Sequence, residues 1–238
     1  MENLKICMGN SKFEQELEHW IHNVYQKCNE LGETLNKDYY PFQCSRESLQ
    51  QGVELLIIGA NPGGNNPFPA NKTINGLFSC GSDGSNAFIA YKDDPQWKIN
   101  KPILKIFSTP KLRTVLENAV IMNAVYFNTS EVKDLSLLPN KKEATSFCIQ
   151  ATKEFINVLK PKAILMLGFD VPKWLDVKYN KEENGLLFSD ETKKSALVFE
   201  IKGESPIYII HHPSRNYKFN NKENLNKKRE VFERIFMK

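Results

Sequence analysis

Short runs of consecutive apolar residues alternate along the chain with longer segments in which apolar residues recur every three or four positions. The short runs predict strands buried on both faces, and the longer segments predict amphipathic helices. The predicted core strands are Leu55–Ile58, Val120–Phe127, Ala163–Gly168 and Pro206–Ile210. The longer predicted helices are Ser11–Leu35, Glu143–Leu159 and Asn224–Lys238.

Strands that alternate with helices indicate a parallel sheet with right-handed crossovers. We therefore expect an α/β fold of three layers, α/β/α, around a central, mainly parallel sheet of four strands. Residues 1–238 are expected to form a single domain, with the helix at residues 11–35 packed on it. The charged, turn-rich residues 178–196 interrupt the alternation, and residues 186–201 are compatible with a hairpin around Asp190.

Composition narrows the function classes only modestly. The 238 residues are 41% hydrophobic and 25% charged, as in ordinary globular proteins. The net charge of +4 is compatible with a nucleic-acid partner but does not establish one. The longest apolar run is far shorter than a bilayer span and no N-terminal signal pattern is present, so we expect a cytoplasmic protein with no membrane partner. Five scattered cysteines without a Cys-x-x-Cys pair argue against a zinc site.

The first candidate site follows the first core strand, in Gly59-Ala60-Asn61-Pro62-Gly63-Gly64. Pro62 keeps Asn61 out of the α region, and the glycines allow the backbone to approach a ligand closely. Ligands bind at the carboxyl ends of parallel strands, so Asn61 is well placed to contact one. The alternative is a strand-to-loop turn without chemistry. The stretch is neither a P-loop nor a G-x-G-x-x-G dinucleotide motif.

Three further places combine polar or aromatic residues with core strands or loops. Phe78, within Gly76-Leu77-Phe78-Ser79 of a long irregular segment, is either a stacking platform or a core anchor. Asn123 stands alone among apolar residues, so its partner is either a neighbouring backbone group or a ligand. The last core strand leads into His211-His212-Pro213-Ser214-Arg215-Asn216, in which His211 and His212 are expected to face opposite ways.

These motifs together resemble the uracil-DNA glycosylase superfamily. Gly59-Ala60-Asn61-Pro62-Gly63 resembles its first motif, and His212-Pro213-Ser214 its second. The asparagine form and the following Arg215-Asn216 are most similar to the single-strand-selective and mismatch-directed branches. Phe78 and Asn123 stand where the family places a base-stacking aromatic and a base-reading asparagine. Arg215 replaces the second proline of the His-Pro-Ser-Pro pattern, and the cysteine ligands of the iron–sulfur branches have no counterpart.

The resemblance implies a single uracil-DNA glycosylase-like domain that hydrolyses the N-glycosidic bond of uracil or a related damaged base in DNA, as in base excision repair. Such enzymes flip the base out of the stack before acting on it. The implied catalytic residues are Asn61, which would orient water, and His212, which would donate to the leaving base. The implied base-binding residues are Ala60, Phe78 and Asn123. The implied DNA-binding residues are Gly63, Gly64, Ser214, Arg215 and Asn216.

No metal or cofactor is expected, because this mechanism uses only hydrogen bonds and position. The expected partner is DNA carrying uracil or a damaged base, and we expect a monomer. Two alternatives stay open. One is a superfamily-like nucleic-acid-binding protein with little or no glycosylase activity, and the other is a different α/β enzyme, such as a nucleotide hydrolase that uses His211 or His212.

Overall fold

The computed structural model describes residues 11–138, 140–188, 196–215 and 217–237, which form both helices and strands. The strands are β1 (Leu56–Gly59), β2 (Val120–Asn123), β3 (Ile164–Leu167), β4 (Gly185–Phe188), β5 (Ala196–Ile201) and β6 (Ile207–Ile210). The α-helices are α1 (Lys12–Leu35), α2 (Ala87–Ala90), α3 (Asn100–Ile106), α4 (Pro110–Glu117), α5 (Lys141–Leu159), α6 (Asp170–Trp174), α7 (Lys181–Asn184) and α8 (Lys222–Phe236). Short 3-10 turns span Arg46–Ser48, Ile74–Leu77 and Val132–Leu137. The predicted α/β class is confirmed.

One mixed, six-stranded sheet has the order β2-β1-β3-β6-β5-β4. β2, β1, β3 and β6 pair in parallel, whereas β5 is antiparallel to β6 and β4 is antiparallel to β5. All four predicted core strands are present as β1, β2, β3 and β6, but β2 ends at Asn123 and not at Phe127 as predicted. The prediction of a four-stranded sheet is wrong, because β5 pairs with the edge of β6 that the parallel strands leave open. The hairpin of β4 and β5 follows the predicted position, and residues 189–195, with Asp190, lie outside the described ones.

Each face of the sheet carries its own hydrophobic core. Leu56 and Ile58 of β1 pack in the core that contains α1 and α5, whereas Ile57 packs in the core that contains α3, α4 and α8. The alternation follows from the strand period of two, which points successive side chains to opposite faces. Helices thus cover both faces, and the predicted three layers are confirmed.

The first helix packs on this framework as its sequence predicts. Ser11 and Glu14 form a capping box, in which each side chain accepts from the backbone N–H of the other residue. The buried indole of Trp20 donates to the carbonyl of Ala151 in α5 at 2.8 Å. In the part of the chain that the structure describes, none of the helices is both long enough and apolar enough to span a membrane.

Candidate active site

The carboxyl ends of four parallel strands lie at one edge of the sheet. Because β1, β2, β3 and β6 run in the same direction, the residues that follow them emerge at this edge. β1 leads into Asn61, β2 ends in Asn123 and β6 leads into His212. A Cβ built on Gly168, which follows β3, would lie 3.4 Å from the Cβ of His212. The residues of both motifs and the lone amide of β2 are therefore found at the same edge.

Three acceptors surround the side-chain amide nitrogen of Asn61. Nδ2 donates to the carbonyl of Pro62 at 3.0 Å, to the carbonyl of Thr129 at 3.3 Å and to Thr129 Oγ1 at 2.9 Å. Because all three partners are acceptors, they fix which end of the amide carries the oxygen. No group of the described residues donates to Asn61 Oδ1, so this half-buried side chain presents a free acceptor at the mouth of β1.

Thr129 is a site residue that the sequence analysis missed. It is buried, and its hydroxyl donates to the carbonyl of Glu131 at 2.9 Å. Since the hydroxyl proton is engaged there, an oxygen lone pair accepts from Asn61. A signal was available, because the polar pair Asn128-Thr129 directly follows the apolar run of residues 120–127.

The side chain of Asn123 is only 2% exposed and one of its donors is already in use. Its Nδ2 donates to the carbonyl of Tyr40 at 3.0 Å. A Cβ on Gly59 would lie 3.2 Å from Asn123 Oδ1, so the glycine of the first motif makes room for this amide. A second N–H and Oδ1 have no partner among the described residues. The Asn123 amide thus has a backbone partner, the carbonyl of Tyr40. It also keeps one free donor and one free acceptor with which it could bind a ligand.

Phe78 is half-buried and stacks on the fully buried Phe42, with ring centroids 5.2 Å apart and planes inclined by 6°. Phe42 also bridges to Met122 of β2, so the stack ties the irregular segment to the site edge. Phe42 is the one aromatic neighbour of Phe78 among the described residues, so the opposite face of the ring has no aromatic partner there. One face of the Phe78 ring therefore packs on Phe42, and the ring remains partly exposed.

The imidazole of His212 is neutral at physiological pH. Burial lowers its pKa to about 4, with a further lowering by the positive charge of Arg215 and an opposing effect of Asp170. Nδ1 lies 3.0 Å from Ser214 Oγ. A neutral imidazole carries a single N–H, so this contact bears on which ring nitrogen holds it.

His211 lies in a different environment from its neighbour. Its ring stacks on Phe219 with centroids 3.8 Å apart, and it meets Phe169 edge to face at 4.8 Å. Nε2 lies 3.2 Å from the carbonyl of Ala196 in β5. Burial lowers the pKa of His211 to about 4, so it is a neutral, packed side chain.

A tight turn at residues 212–215 carries the second motif. The backbone N–H of Arg215 donates to the carbonyl of His212 at 3.0 Å. Asn220 Nδ2 donates to the same carbonyl at 3.0 Å and to that of Arg215 at 2.6 Å. The Arg215 side chain is exposed and forms no ion pair with the described acidic residues. Asn216 lies outside the described residues.

The backbone after β1 is exposed at Gly63 and Gly64 and buried at Ala60. Ala60 is buried, and its carbonyl accepts from the N–H of Val125 at 2.9 Å. Gly63 and Gly64 are exposed, and a Cβ on Gly63 would meet nothing within 4 Å. Gly64 has a φ of +100°, which favours glycine. A ligand can therefore approach the main chain at both glycines.

The described residues contain no group of three or more His, Cys, Asp or Glu side chains that could hold a metal ion. A cavity of about 460 Å³ lies at the opposite edge of the sheet, lined by residues that precede β1 and β2. Its lining includes Val53, Glu54, Glu117 and Asn118 and none of the candidate site residues. The candidate site thus lies in the loops at the carboxyl ends of the parallel strands and is separate from this cavity.

Comparison with known proteins gives no relative from which to assign a function. No protein-family model matches the chain, and no curated protein matches it significantly. A function can therefore be inferred only from the motifs and their geometry.

Proposed function

We propose that the protein is a DNA base glycosylase of the uracil-DNA glycosylase superfamily that releases uracil or a related damaged base. The observation that carries the proposal is the pairing of Asn61 and His212 at one sheet edge. Asn61 has a locked amide with a free oxygen, and His212 is a neutral imidazole. An acceptor for water and a donor for the leaving base are the two groups that hydrolysis of an N-glycosidic bond needs.

Asn61 would orient the attacking water through Oδ1. An amide oxygen accepts a hydrogen bond but cannot take up a proton as a carboxylate does. The N-glycosidic bond must therefore be largely broken before water attacks, with positive charge on the sugar and negative charge on the base. Pro62 and Thr129 hold the other end of the amide, so the oxygen needs no reorganisation during the reaction.

His212 would stabilise the anionic base that leaves. If Ser214 Oγ donates to Nδ1, the single ring proton of the neutral imidazole sits on Nε2 and can donate to O2 of the base. The lowered pKa of His212 favours a hydrogen bond to the anion over protonation of the base. Removing one preorganised donor of this kind typically costs roughly 100- to 1000-fold in rate.

The remaining site residues would bind the flipped base and the DNA backbone. The open side of Phe78 would stack on the base, and the free N–H and Oδ1 of Asn123 match the O4 acceptor and N3–H donor of uracil. Ala60 is proposed to contact the base through its backbone N–H, since its carbonyl already accepts from Val125. Phosphate contacts are proposed at Gly63, Gly64, Arg215 and Asn216, and at Ser214 through its backbone N–H, because its single hydroxyl proton is used on His212.

A second candidate function is nucleic-acid binding with little or no base release. The observation that favours it is the low exposure of Asn123, whose amide already serves the carbonyl of Tyr40. Bound DNA that keeps its uracil would support this alternative over the first.

A labelled oligonucleotide panel tests the proposal. Single- and double-stranded oligonucleotides carrying uracil, hypoxanthine, xanthine or mismatched thymine are incubated with the protein in EDTA, and abasic sites are then cleaved with alkali. We expect cleavage at one or more of these bases, and cleavage at least about 100-fold slower with the Asn61→Ala variant. Binding without cleavage would favour the second candidate, and hydrolysis of free nucleotides alone would point to a different α/β enzyme.

A further inference from the structure

A fully buried lysine lies beneath the turn that carries His212. Lys228 of α8 is 0% exposed, and no described acidic side chain forms an ion pair with it. Its Nζ donates to the carbonyl of Phe219 at 2.9 Å and to Asn220 Oδ1 at 2.8 Å. A buried charge without a counter-charge is costly, and an apolar residue of similar volume is often better for stability. The presence of Lys228 therefore calls for a reason other than stability.

The hydrogen bond from Lys228 supports the same orientation of Asn220 that the turn requires. Nζ donates to Asn220 Oδ1, so the oxygen of the Asn220 amide faces the lysine. The amide nitrogen then faces the turn, where it donates to the carbonyls of His212 at 3.0 Å and Arg215 at 2.6 Å. The chain of contacts thus runs from α8 to the backbone of His212 through a single side chain.

Without the ammonium, either orientation of the Asn220 amide would leave a polar atom poorly matched. If the amide nitrogen turned toward the vacated site, its oxygen would face the two carbonyls of the turn. The turn would then lose two hydrogen bonds, and it would retain the bond from the Arg215 N–H to the His212 carbonyl and the contact between Ser214 Oγ and His212 Nδ1. Because the His212 ring projects from this turn, a looser turn would leave the ring less well aimed.

We propose that Lys228 is a positioning residue for His212, which acts through Asn220 to hold the turn at residues 212–215 in one conformation. Lys228 does not contact the reacting atoms, because its side chain is fully buried. Burial also lowers the pKa of Lys228 to about 7, which agrees with the lack of a counter-charge. The predicted effect on rate rests on the proposed glycosylase function, whereas the predicted effect on the turn does not.

Lys227 provides a matched control on the same helix. It is the neighbour of Lys228 and forms an ion pair with Glu223 at 2.7 Å. None of its described contacts reaches Asn220 or the turn. Lys227→Met therefore removes one positive charge from α8 without touching the contacts of the turn.

The experiment compares Lys228→Met, Asn220→Ala and Lys227→Met with the unmodified protein, first without DNA. We expect hydrogen exchange of the Arg215 amide to be at least about tenfold faster in the first two variants, with shifted ¹⁵N resonances of the His212 ring. In single-turnover assays, base release should be at least about tenfold slower with little change in DNA affinity, since misplacement of a catalytic group affects the chemical step. Lys227→Met should match the unmodified protein in every measurement.

Unchanged exchange at Arg215 and unchanged His212 resonances in both Lys228→Met and Asn220→Ala would overturn the proposal. If Lys228→Met does not fold, Asn220→Ala alone decides by the same criteria. If the unmodified protein releases no base, the proposed function fails, while the measurements without DNA still decide whether Lys228 holds the turn.

Discussion

The amide nitrogen of Asn61 lies 2.9 Å from the hydroxyl oxygen of Thr129, and this contact points the amide oxygen away from the protein's own acceptors. Thr129 in turn is fixed by its hydrogen bond to the carbonyl of Glu131. The proposed water-binding group is thus set by a residue of the loop after β2. A residue outside both motifs therefore controls the geometry of the first.

Replacing this hydroxyl should slow catalysis without unfolding the protein. In Thr129→Val the hydroxyl is lost, so the Asn61 amide has two acceptors left and is held less firmly. We expect base release to slow by about tenfold, the effect of one hydrogen bond. Thr129→Ser keeps the hydroxyl and is the control. Equal single-turnover rates for the valine and serine variants would show that the contact does not matter.

A single methyl group on Gly59 should disturb base recognition. The added Cβ would lie 3.2 Å from Asn123 Oδ1, so the amide must shift by a few tenths of an ångström. We expect Gly59→Ala to slow uracil release by about tenfold while binding to abasic DNA is retained. Gly203→Ala is the control, since its Cβ would come no closer than 3.9 Å to a neighbouring atom. A lower melting temperature with an unchanged choice of base would mean that Asn123 is structural only.

Arg215 should contribute to DNA affinity through a phosphate contact. Its side chain is exposed and has no ion pair among the described acidic residues. Arg215→Ala should weaken binding and reduce the slope of log K against log salt by about 1. Arg234→Ala, at the far end of α8, should leave both unchanged. A salt slope unaffected by Arg215→Ala would argue against the phosphate contact.

The two neighbouring histidines should make the protein less stable in mild acid. Burial lowers the pKa of both His211 and His212 from 6.5 to about 4, and the charge of Lys228 also acts on His211. Between these values the unfolded chain binds more protons at the two histidines than the folded one, so their contribution to stability is full above about pH 6.5 and is lost as the pH drops toward 4.

Melting temperatures measured from pH 4 to 7 test this expectation. In His211→Gln one of the two groups is gone, so the loss of stability in acid should be shallower than in the unmodified protein. The comparison is made relative to each protein at pH 7, because the substitution also removes packing against Phe219. Parallel pH profiles for the two proteins would mean that His211 is not held neutral by burial.

Much of the framework could be predicted because burial on both faces of a sheet requires unbroken apolar runs. The hairpin of β4 and β5 was visible in the sequence, but its attachment to β6 was not, since no local pattern marks an antiparallel strand beside a parallel one. β4 is also only partly buried and pairs with an irregular register. These features weaken the alternation on which strand prediction depends.

The candidate site was predictable only in part. Asn61 and His212 were expected at one edge because parallel strands share the direction of their ends. Lys228 could not be distinguished from Lys227 and Arg229, because all three are cations of one basic helix. Its burial follows from how α8 packs against the sheet and the 212–215 turn, which is a tertiary property.

Single-turnover release of uracil from a single-stranded oligonucleotide in EDTA is the decisive test of the proposed glycosylase function. The unmodified protein is compared with Asn61→Ala, His212→Ala and His211→Ala. We expect release by the unmodified protein and at least about 100-fold slower release by Asn61→Ala and by His212→Ala. The variant that combines Asn61→Ala and His212→Ala should lose less rate than the product of the two single losses. His211→Ala should clearly lower the melting temperature and change the rate of release little, because the His211 ring packs on Phe219 and Phe169. Release that is unaffected by both Asn61→Ala and His212→Ala would rule out the catalytic roles proposed for these two residues.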